Sequence, residues 1–221
     1  ASNTLGWRWA AGLHTRGKPY PARAQNIDTF TKGRFKPNHD ELAEVEQGLE
    51  ASEPDGLPTV QPLRKVREAQ PELPTLLLIT DEDCQIENFD LAAFDMRGSA
   101  TLACSHLRSL RPVSERVCDF ETGALIDATL RLNLDVMCLK AAEPSVLADW
   151  AAQVGAKQVF TPFVTYGPLR DWLNLAELQL EERGITLCEQ RRAWDDAIWP
   201  YATAGFFKVR KKIPQILSPR S

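Results

Sequence analysis

Short apolar runs alternate with amphipathic stretches along the C-terminal part of the chain. Continuous apolar runs are typical of parallel strands that are buried on both faces. The runs predict five strands, at residues 76–79, 100–104, 135–139, 158–160 and 185–188. Helical periodicity predicts helices between them, at 113–132, 145–154 and 169–183. This alternation predicts an α/β domain, a five-stranded parallel Rossmann-like sheet with flanking helices, whose ligands bind at the carboxyl ends of the strands.

A different composition precedes this domain. The opening residues show a helical pattern that ends at Gly12, followed by a loop and a second short helix at 22–30. Prolines are then frequent from Pro37 to Pro74, and acidic residues cluster in a predicted short amphipathic helix at 39–50. Such a stretch is typical of an extended, semi-rigid linker. The sequence therefore predicts a helical segment (1–36), a Pro-rich acidic linker (37–73) and the α/β domain (74–221).

Charge is distributed unevenly between these parts. The first 36 residues carry one acid, Asp28, and a net charge of +6, which leaves −10 on the remainder of a chain whose total is −4. The seven cations of the segment are Arg8, Arg16, Lys18, Arg23, Lys32, Arg34 and Lys36. Basic residues interleaved with aromatic ones suit a phosphate-bearing or nucleic-acid ligand, and a solvated basic face is the alternative.

Asn3 and Trp7 are four residues apart and would share one face of a helix, whereas Trp9 would point to the other side. One face would thus present an amide and an indole to a single flat ligand. The alternative is structural: Trp7 packs in a core and Asn3 caps a turn.

This opening stretch resembles the last part of the FAD-binding helical domain of the DNA photolyase/cryptochrome family. The family pattern is an Asn, three residues and then Trp-x-Trp on a helix, followed by a loop with Pro-Tyr, Arg and Asn and by a Gly-basic-Phe ending. The matching residues here are Asn3, Trp7-Arg8-Trp9, Pro19-Tyr20, Arg23, Asn26 and Gly33-Arg34-Phe35. The loop holds one residue more between Tyr20 and Arg23 than in the bacterial repair enzymes.

The resemblance implies an FAD cofactor and a role for individual residues. Asn3 would lie beside N5 of the flavin, and Trp7 would be the proximal tryptophan that donates an electron to the light-excited flavin. Arg16, Lys18 and Arg23 would contact DNA phosphates. The implied activity is that of a deoxyribodipyrimidine photolyase-like lyase repairing DNA photoproducts, or that of a blue-light receptor. Most FAD-binding residues of the family precede the Asn-Trp helix, so we expect this chain to be part of a longer polypeptide and to need the rest of that domain.

The α/β part is also similar, less closely, to the α/β domain of photolyases. The similarity lies in residues 76–79, 87–91 and 155–160. In that family the α/β domain comes before the flavin domain, so this chain would be a permuted relative. Asp81-Glu82-Asp83 stands where the repair enzymes usually have paired arginines.

Two other functions fit parts of the chain. Asp81 and Asp83 follow directly on a predicted buried strand, as the nucleophile and acid/base of Asp-x-Asp phosphatases do, and Asp195-Asp196 would then supply metal ligands. That family has Thr or Val where Gln85 stands, and a solvated acidic turn explains the same acids. The third hypothesis is a non-catalytic α/β interaction module with a vestigial flavin segment.

The cysteines, the histidines and the apolar runs indicate where in the cell the protein occurs and which chemistry it supports. The five cysteines form no C-x-x-C pair, which indicates reduced, mostly buried thiols in a cytoplasmic protein, including Cys138 in a predicted strand. The three histidines match no metal-ligand spacing, so no metal site is expected. No apolar run approaches the roughly 18 to 20 residues of a membrane span. We expect the aromatic residues of the tail to close the α/β core, with packing onto the flavin domain as the alternative; they are Trp194, Trp199, Tyr201, Phe206 and Phe207.

Overall fold

The computed structural model describes residues 23–38, 62–203 and 205–218. Contacts divide the chain into two units, Ala1–Gln61 and Pro62–Ser221. The predicted opening helix and the predicted helix at 39–50 lie outside the described residues.

One helix of the first unit is described, α1 (Ala24–Phe30), close to the predicted 22–30. Its C-terminal end is closed by a turn in which Lys32 and Gly33 have φ values of 54° and 77°. The N–H of Gly33 donates to the carbonyl of Asp28 over 2.8 Å. Glycine adopts this left-handed conformation without steric cost, which explains why the helix ends at this position.

The second unit contains the predicted five-stranded parallel sheet, so the α/β prediction is confirmed. The strand order is β3-β2-β1-β4-β5, and every neighbouring pair is parallel. The strands are β1 (Pro74–Thr80), β2 (Asp95–Ala103), β3 (Met137–Lys140), β4 (Gln158–Pro162) and β5 (Thr186–Gln190).

Apolar side chains of β1 enter a separate core on each face of the sheet. Leu76 and Leu78 pack on one face with the helices α3 (Ser145–Gln153) and α4 (Pro168–Glu181). Leu77 and Ile79 pack on the other face with the helix α2 (Glu115–Arg131). The continuous apolar run of β1 follows from this burial on both sides.

The segment at 62–70, predicted as part of the linker, packs against the edge of the sheet at β5. Glu189 of β5 donates its backbone N–H to the carbonyl of Arg67 over 3.0 Å. The side-chain amide of Gln158 accepts the N–H of Gln70 over 2.9 Å and donates to the carbonyl of Gln70 over 2.6 Å. This segment therefore covers the outer edge of β5.

The opposite edge strand, β3, corrects one expectation. Cys138 is exposed rather than buried, and so is Met137 before it. The physical reason is position: β3 is the last strand of the sheet, and α2 lies over its inner neighbours rather than over β3 itself. All five cysteines are free thiols; Cys104 and Cys188 are buried, and Cys118 is exposed like Cys138.

The tail continues as α5 (Ala193–Ile198), a 3₁₀ turn (Trp199–Tyr201), α6 (Gly205–Arg210) and α7 (Ile213–Leu217). Trp199 packs edge-on against Phe163, with ring centroids 5.5 Å apart, but neither ring is buried in a core cluster, and Trp194 is 54% exposed. Phe206 and Phe207 do not close the core, because they contact each other and leave 60% and 72% of their surface exposed. Among the described helices, none combines the length and the apolar character that crossing a bilayer requires.

Candidate functional site at the carboxyl edge of the sheet

The structure describes only one of the five residues that were predicted to bind flavin or DNA. Asn3, Trp7, Arg16 and Lys18 lie outside the described residues. Arg23 is described: it is exposed and occupies the N-cap position of α1, where its carbonyl accepts the N–H of Ile27 over 3.0 Å. An exposed guanidinium at this position is available to an anionic ligand.

The described end of the basic segment is a compact turn. The hydroxyl of Thr31 donates to Ile27 O and accepts the N–H of Phe35, which fixes the chain after α1. The guanidinium of Arg34 then lies 5.2 Å from the ring centroid of Phe35. Cation and ring are both exposed, so the Gly-Arg-Phe ending presents a charge and an aromatic surface together.

In the α/β unit, Asp81 lies at the carboxyl end of β1 and is paired with an arginine. Arg108 donates two hydrogen bonds to its carboxylate, at 2.5 and 2.8 Å, and a third to Glu82 at 2.9 Å. The thiol of Cys104 lies 3.0 Å from the same carboxylate. Burial opposes the charge on Asp81, but the hydrogen bonds from Arg108 and Cys104 outweigh it and hold the pKa of Asp81 below its ordinary value.

Cys104 itself is a poor nucleophile in this environment. Burial is the larger cause and the hydrogen bond to the Asp81 carboxylate the second, and together they raise the pKa of the Cys104 thiol far above its ordinary value. The thiolate is the reactive form of cysteine, so this side chain stays protonated and inert at neutral pH.

Glu121 is a buried carboxylate that reaches the end of β2 from α2. It accepts the N–H groups of Cys104 and Ser105, at 2.6 and 2.8 Å, and the hydroxyl of Ser105 at 2.7 Å. These donors begin the 3₁₀ helix Ser105–Arg108, which carries Arg108 toward Asp81. Glu121 thus positions the ion pair indirectly, by capping the turn.

Asp81, Cys104 and Glu121 place their ligand atoms within 4.8 Å of one another. The chemistry of the set does not favour a cation. Arg108 already neutralises Asp81, three donors already satisfy Glu121, and Cys104 would have to lose a proton that its surroundings hold tightly. The geometry describes a closed hydrogen-bond network.

Asp83 is held by a different arginine. Arg192, at the end of β5, makes a two-point ion pair with its carboxylate. Arg192 also donates to Gln85 O at 2.7 Å and stacks 4.7 Å above the centroid of Phe89. The loop after β5 is thereby fastened to the loop after β1.

Asp195 and Asp196 are also engaged. Asp195 accepts the backbone N–H of Arg192 over 3.4 Å, and Asp196 accepts Arg191 Nε over 2.5 Å. Each of the four acids thus has a partner within the protein, and the Asp-x-Asp phosphatase hypothesis stays a prediction. The acidic loop is a set of structural ion pairs.

Glu189 is the centre of a third network. Its carboxylate accepts two hydrogen bonds from Arg64, at 2.6 and 2.8 Å, one from Arg170 at 2.9 Å, and the N–H of Val164 at 3.0 Å. Arg170 is only 2% exposed. Burial lowers the pKa of its guanidinium, and the Glu189 carboxylate counteracts that shift.

A cleft of about 380 Å³ adjoins this network at the carboxyl end of β5, lined by residues that include Val66, Phe94, Glu189, Arg191 and Asp196. Four of its charged neighbours pair with one another or with Arg170: Arg191 bonds Asp196, and Glu189 bonds Arg64 and Arg170. Arg64 and Arg191 also flank the ring of Phe163, at 4.8 and 5.1 Å from its centroid.

No family model matches this chain, and no curated protein matches its sequence.

Proposed function

We propose that the chain is part of a photolyase/cryptochrome-like FAD flavoprotein that uses light-driven electron transfer to repair DNA photoproducts, with blue-light sensing as the closest variant of that activity. The observation that carries the proposal is the spaced sequence pattern of the opening 36 residues, in which Asn3 and Trp7 are four residues apart in a segment of net charge +6. The five-stranded parallel sheet of the second unit supports the same proposal, since the α/β part resembles the α/β domain of that family.

Bound FAD would supply the light absorption and the one-electron chemistry, which no amino-acid side chain provides. This chain would contribute Asn3 as the amide beside the flavin ring and Trp7 as the electron donor. Arg16, Lys18 and Arg23 would bind DNA phosphates at the rim, and the exposure of Arg23 suits this role. Because the opening segment resembles only the end of the flavin domain, the remaining contacts to FAD would come from the rest of that domain.

The charges of the α/β unit support placing the chemistry in the opening segment. Asp81, Asp83 and Glu189, at the carboxyl edge where α/β proteins usually bind ligands, are each neutralised by an arginine of the same unit. Ion pairs hold these carboxylates in place, which favours a structural role for them. The five free cysteines suit a reducing compartment, and we place the protein in the cytoplasm.

Flavin binding tests the proposal directly. The natural polypeptide containing this sequence and the 221-residue chain would each be purified, mixed with FAD and separated from free flavin by gel filtration. Flavin absorption that co-elutes with the polypeptide supports the proposal, and flavin retained by the longer form only shows that the site needs the rest of the domain. Absence of retained flavin from both forms contradicts it.

The second candidate is a non-catalytic α/β interaction module. The observation that favours it is the same set of arginine–carboxylate pairs, which balances the charges of the described carboxyl edge by contacts within the protein. The two candidates differ in flavin retention, which the module does not require.

A further inference from the structure

The two edge strands of the sheet, β5 and β3, differ in whether another described segment covers their outer side. At β5 the segment at 62–70 covers the edge, with Glu189 N–H bonded to Arg67 O. At β3, no other part of the described chain pairs with the outer side. An uncovered strand edge presents unpaired N–H and C=O groups that accept another strand.

The β2–β3 hydrogen bonds show which groups of β3 face outward. Thr101 pairs with Cys138 in the register, and the N–H of Ala141 donates to Ala103 O over 2.9 Å. Since successive residues of a parallel strand point their backbone groups to alternate sides, the N–H and C=O groups of Cys138 and Lys140 point away from β2, and the same alternation extends to Val136, which directly precedes the strand. One lone pair of the Lys140 carbonyl accepts the N–H of Ala142 over 2.7 Å, which leaves the other for a partner strand. These outward groups are spaced evenly on either side of Cys138.

Apolar side chains accompany this edge. Ile126 and Leu130 of α2 leave 47% and 73% of their surface exposed, and Met137 of β3 leaves 40%. Between α2 and β3 runs a groove of about 100 Å³, whose lining includes Ala103, Ile126 and Cys138. Strand edge, groove and exposed helix face form one continuous surface, which we name the β3 edge surface.

We propose that a second copy of this chain binds the β3 edge surface, its β3 strand antiparallel to the first across a two-fold axis at Cys138. The pattern of outward groups permits this partner, and the side chains of β3 favour it. An antiparallel copy centred on Cys138 places each outward N–H opposite an outward C=O, because Val136 of one copy faces Lys140 of the other and the two Cys138 residues face each other. The hydrogen-bonding requirement of the edge is thus met by the edge itself, as a two-fold interface demands.

Side chains favour the same register. On one face of the joined sheet, Met137 would lie opposite Leu139 of the second copy, an apolar pair. The register keeps the two Lys140 side chains apart, whereas a shift that aligned them would place like charges opposite each other. A two-fold axis normal to the sheet also brings both α2 helices to the same face, so that Ile126 and Leu130 of each copy close the groove of the other.

The strength of the dimer follows from its size. Four-residue strands and a few helix side chains form an interface at the small end of the range for specific complexes, so we expect dissociation constants on the order of micromolar. The proposal is independent of flavin binding.

The exposed Cys138 makes the register measurable. In a hydrogen-bonded antiparallel pair, opposing Cα atoms are about 5.5 Å apart, within the range for a disulfide. Mild oxidation by a copper–phenanthroline complex, which takes up the two electrons while the two thiols lose their protons, should join two full chains through Cys138. Cys118→Ser, which removes the other exposed thiol, should cross-link like the wild type, and Cys138→Ser should not.

Sedimentation equilibrium completes the test under reducing conditions. The wild type should be dimeric at roughly 100 µM, and Cys138→Lys, which places two ammonium groups face to face, should be monomeric with an unchanged melting temperature at low concentration. A wild type that stays monomeric at this concentration, a cross-link formed through Cys118, or a dimer that survives Cys138→Lys would each overturn the proposal.

Discussion

Asp81 and Arg108, 27 residues apart in the chain, meet across the carboxyl ends of β1 and β2 and share two hydrogen bonds of 2.5 and 2.8 Å. The pair is possible because Glu121, on α2, caps the short turn that carries Arg108. Charge at this end of the sheet is therefore balanced within the protein, and removing one partner should have measurable consequences.

Arg108→Ala should lower the free energy of unfolding by about 1 kcal/mol at neutral pH, a modest value because the guanidinium is partly exposed to solvent. The pKa of Asp81 is lowered in the folded protein, so the pair stabilises fully above the ordinary Asp value of about 3.9 and loses its effect as the pH falls through the lowered pKa. Urea unfolding of wild type and variant should therefore differ at pH 7 and differ much less at an acidic pH below the lowered pKa of Asp81. Arg111→Ala, an exposed neighbour, is the control; an equal difference at both pH values would argue against the pair.

Glu121→Ala should cost about 3 kcal/mol of unfolding free energy, because two backbone N–H groups and the Ser105 hydroxyl lose their acceptor in a buried site. Glu121→Gln retains an oxygen for the N–H groups and should cost about 1 kcal/mol. Asp119→Ala, on the exposed face of the same helix, should change stability little. The denaturant midpoints of the three variants give the order of their stabilities. If Glu121→Gln lowered the midpoint as much as Glu121→Ala, the capping role would be contradicted.

Arg64→Ala should loosen the segment at 62–70, since Arg64 joins it to Glu189 and to Val164 O. We expect amide exchange of this segment to accelerate about tenfold, which corresponds to about 1.4 kcal/mol. Lys65→Ala, at an exposed neighbouring position, should leave exchange unchanged. Equal protection in both variants would show that the segment is held by other contacts.

The thiols should differ sharply in alkylation by iodoacetamide. Cys118 and Cys138 are exposed and should react first; burial raises the pKa of Cys188 to about 11 and raises that of Cys104 further. Peptide mass spectrometry at pH 8 should find Cys104 and Cys188 unmodified until the protein unfolds. Rapid modification of Cys104 in the folded state would contradict the inert network around Asp81.

The sheet was predictable because a strand buried on both faces has a continuous run of apolar residues, as β1 does. The helices between the strands show a different pattern, in which apolar residues recur every three or four positions. Exposure of Cys138 was not predictable in this way. The order of the strands in the sheet determines which strand lies at an edge. An apolar run of five residues contains no information about which strands pair with it.

The ion-pair networks were missed for a related reason. Glu121 reaches Cys104 from a helix 17 residues later, and Arg64 reaches Glu189 over 125 residues. Local patterns carry no signal for such contacts. Arg64 also lies in a proline-rich stretch, and composition alone predicts a linker there. In the structure, a backbone hydrogen bond joins Arg67 of the same stretch to Glu189 of β5.

The most direct test of the proposed flavin chemistry is light-driven bleaching of the bound flavin in the natural polypeptide, recorded at fixed illumination with an external reductant. Trp7→Phe should slow the bleaching at least tenfold while flavin retention is unchanged. Trp9→Phe, at a position that the sequence pattern predicts to face the other way, should have a much smaller effect. Equal bleaching rates in the wild type and Trp7→Phe would contradict Trp7 as the donor and, with it, the central proposal.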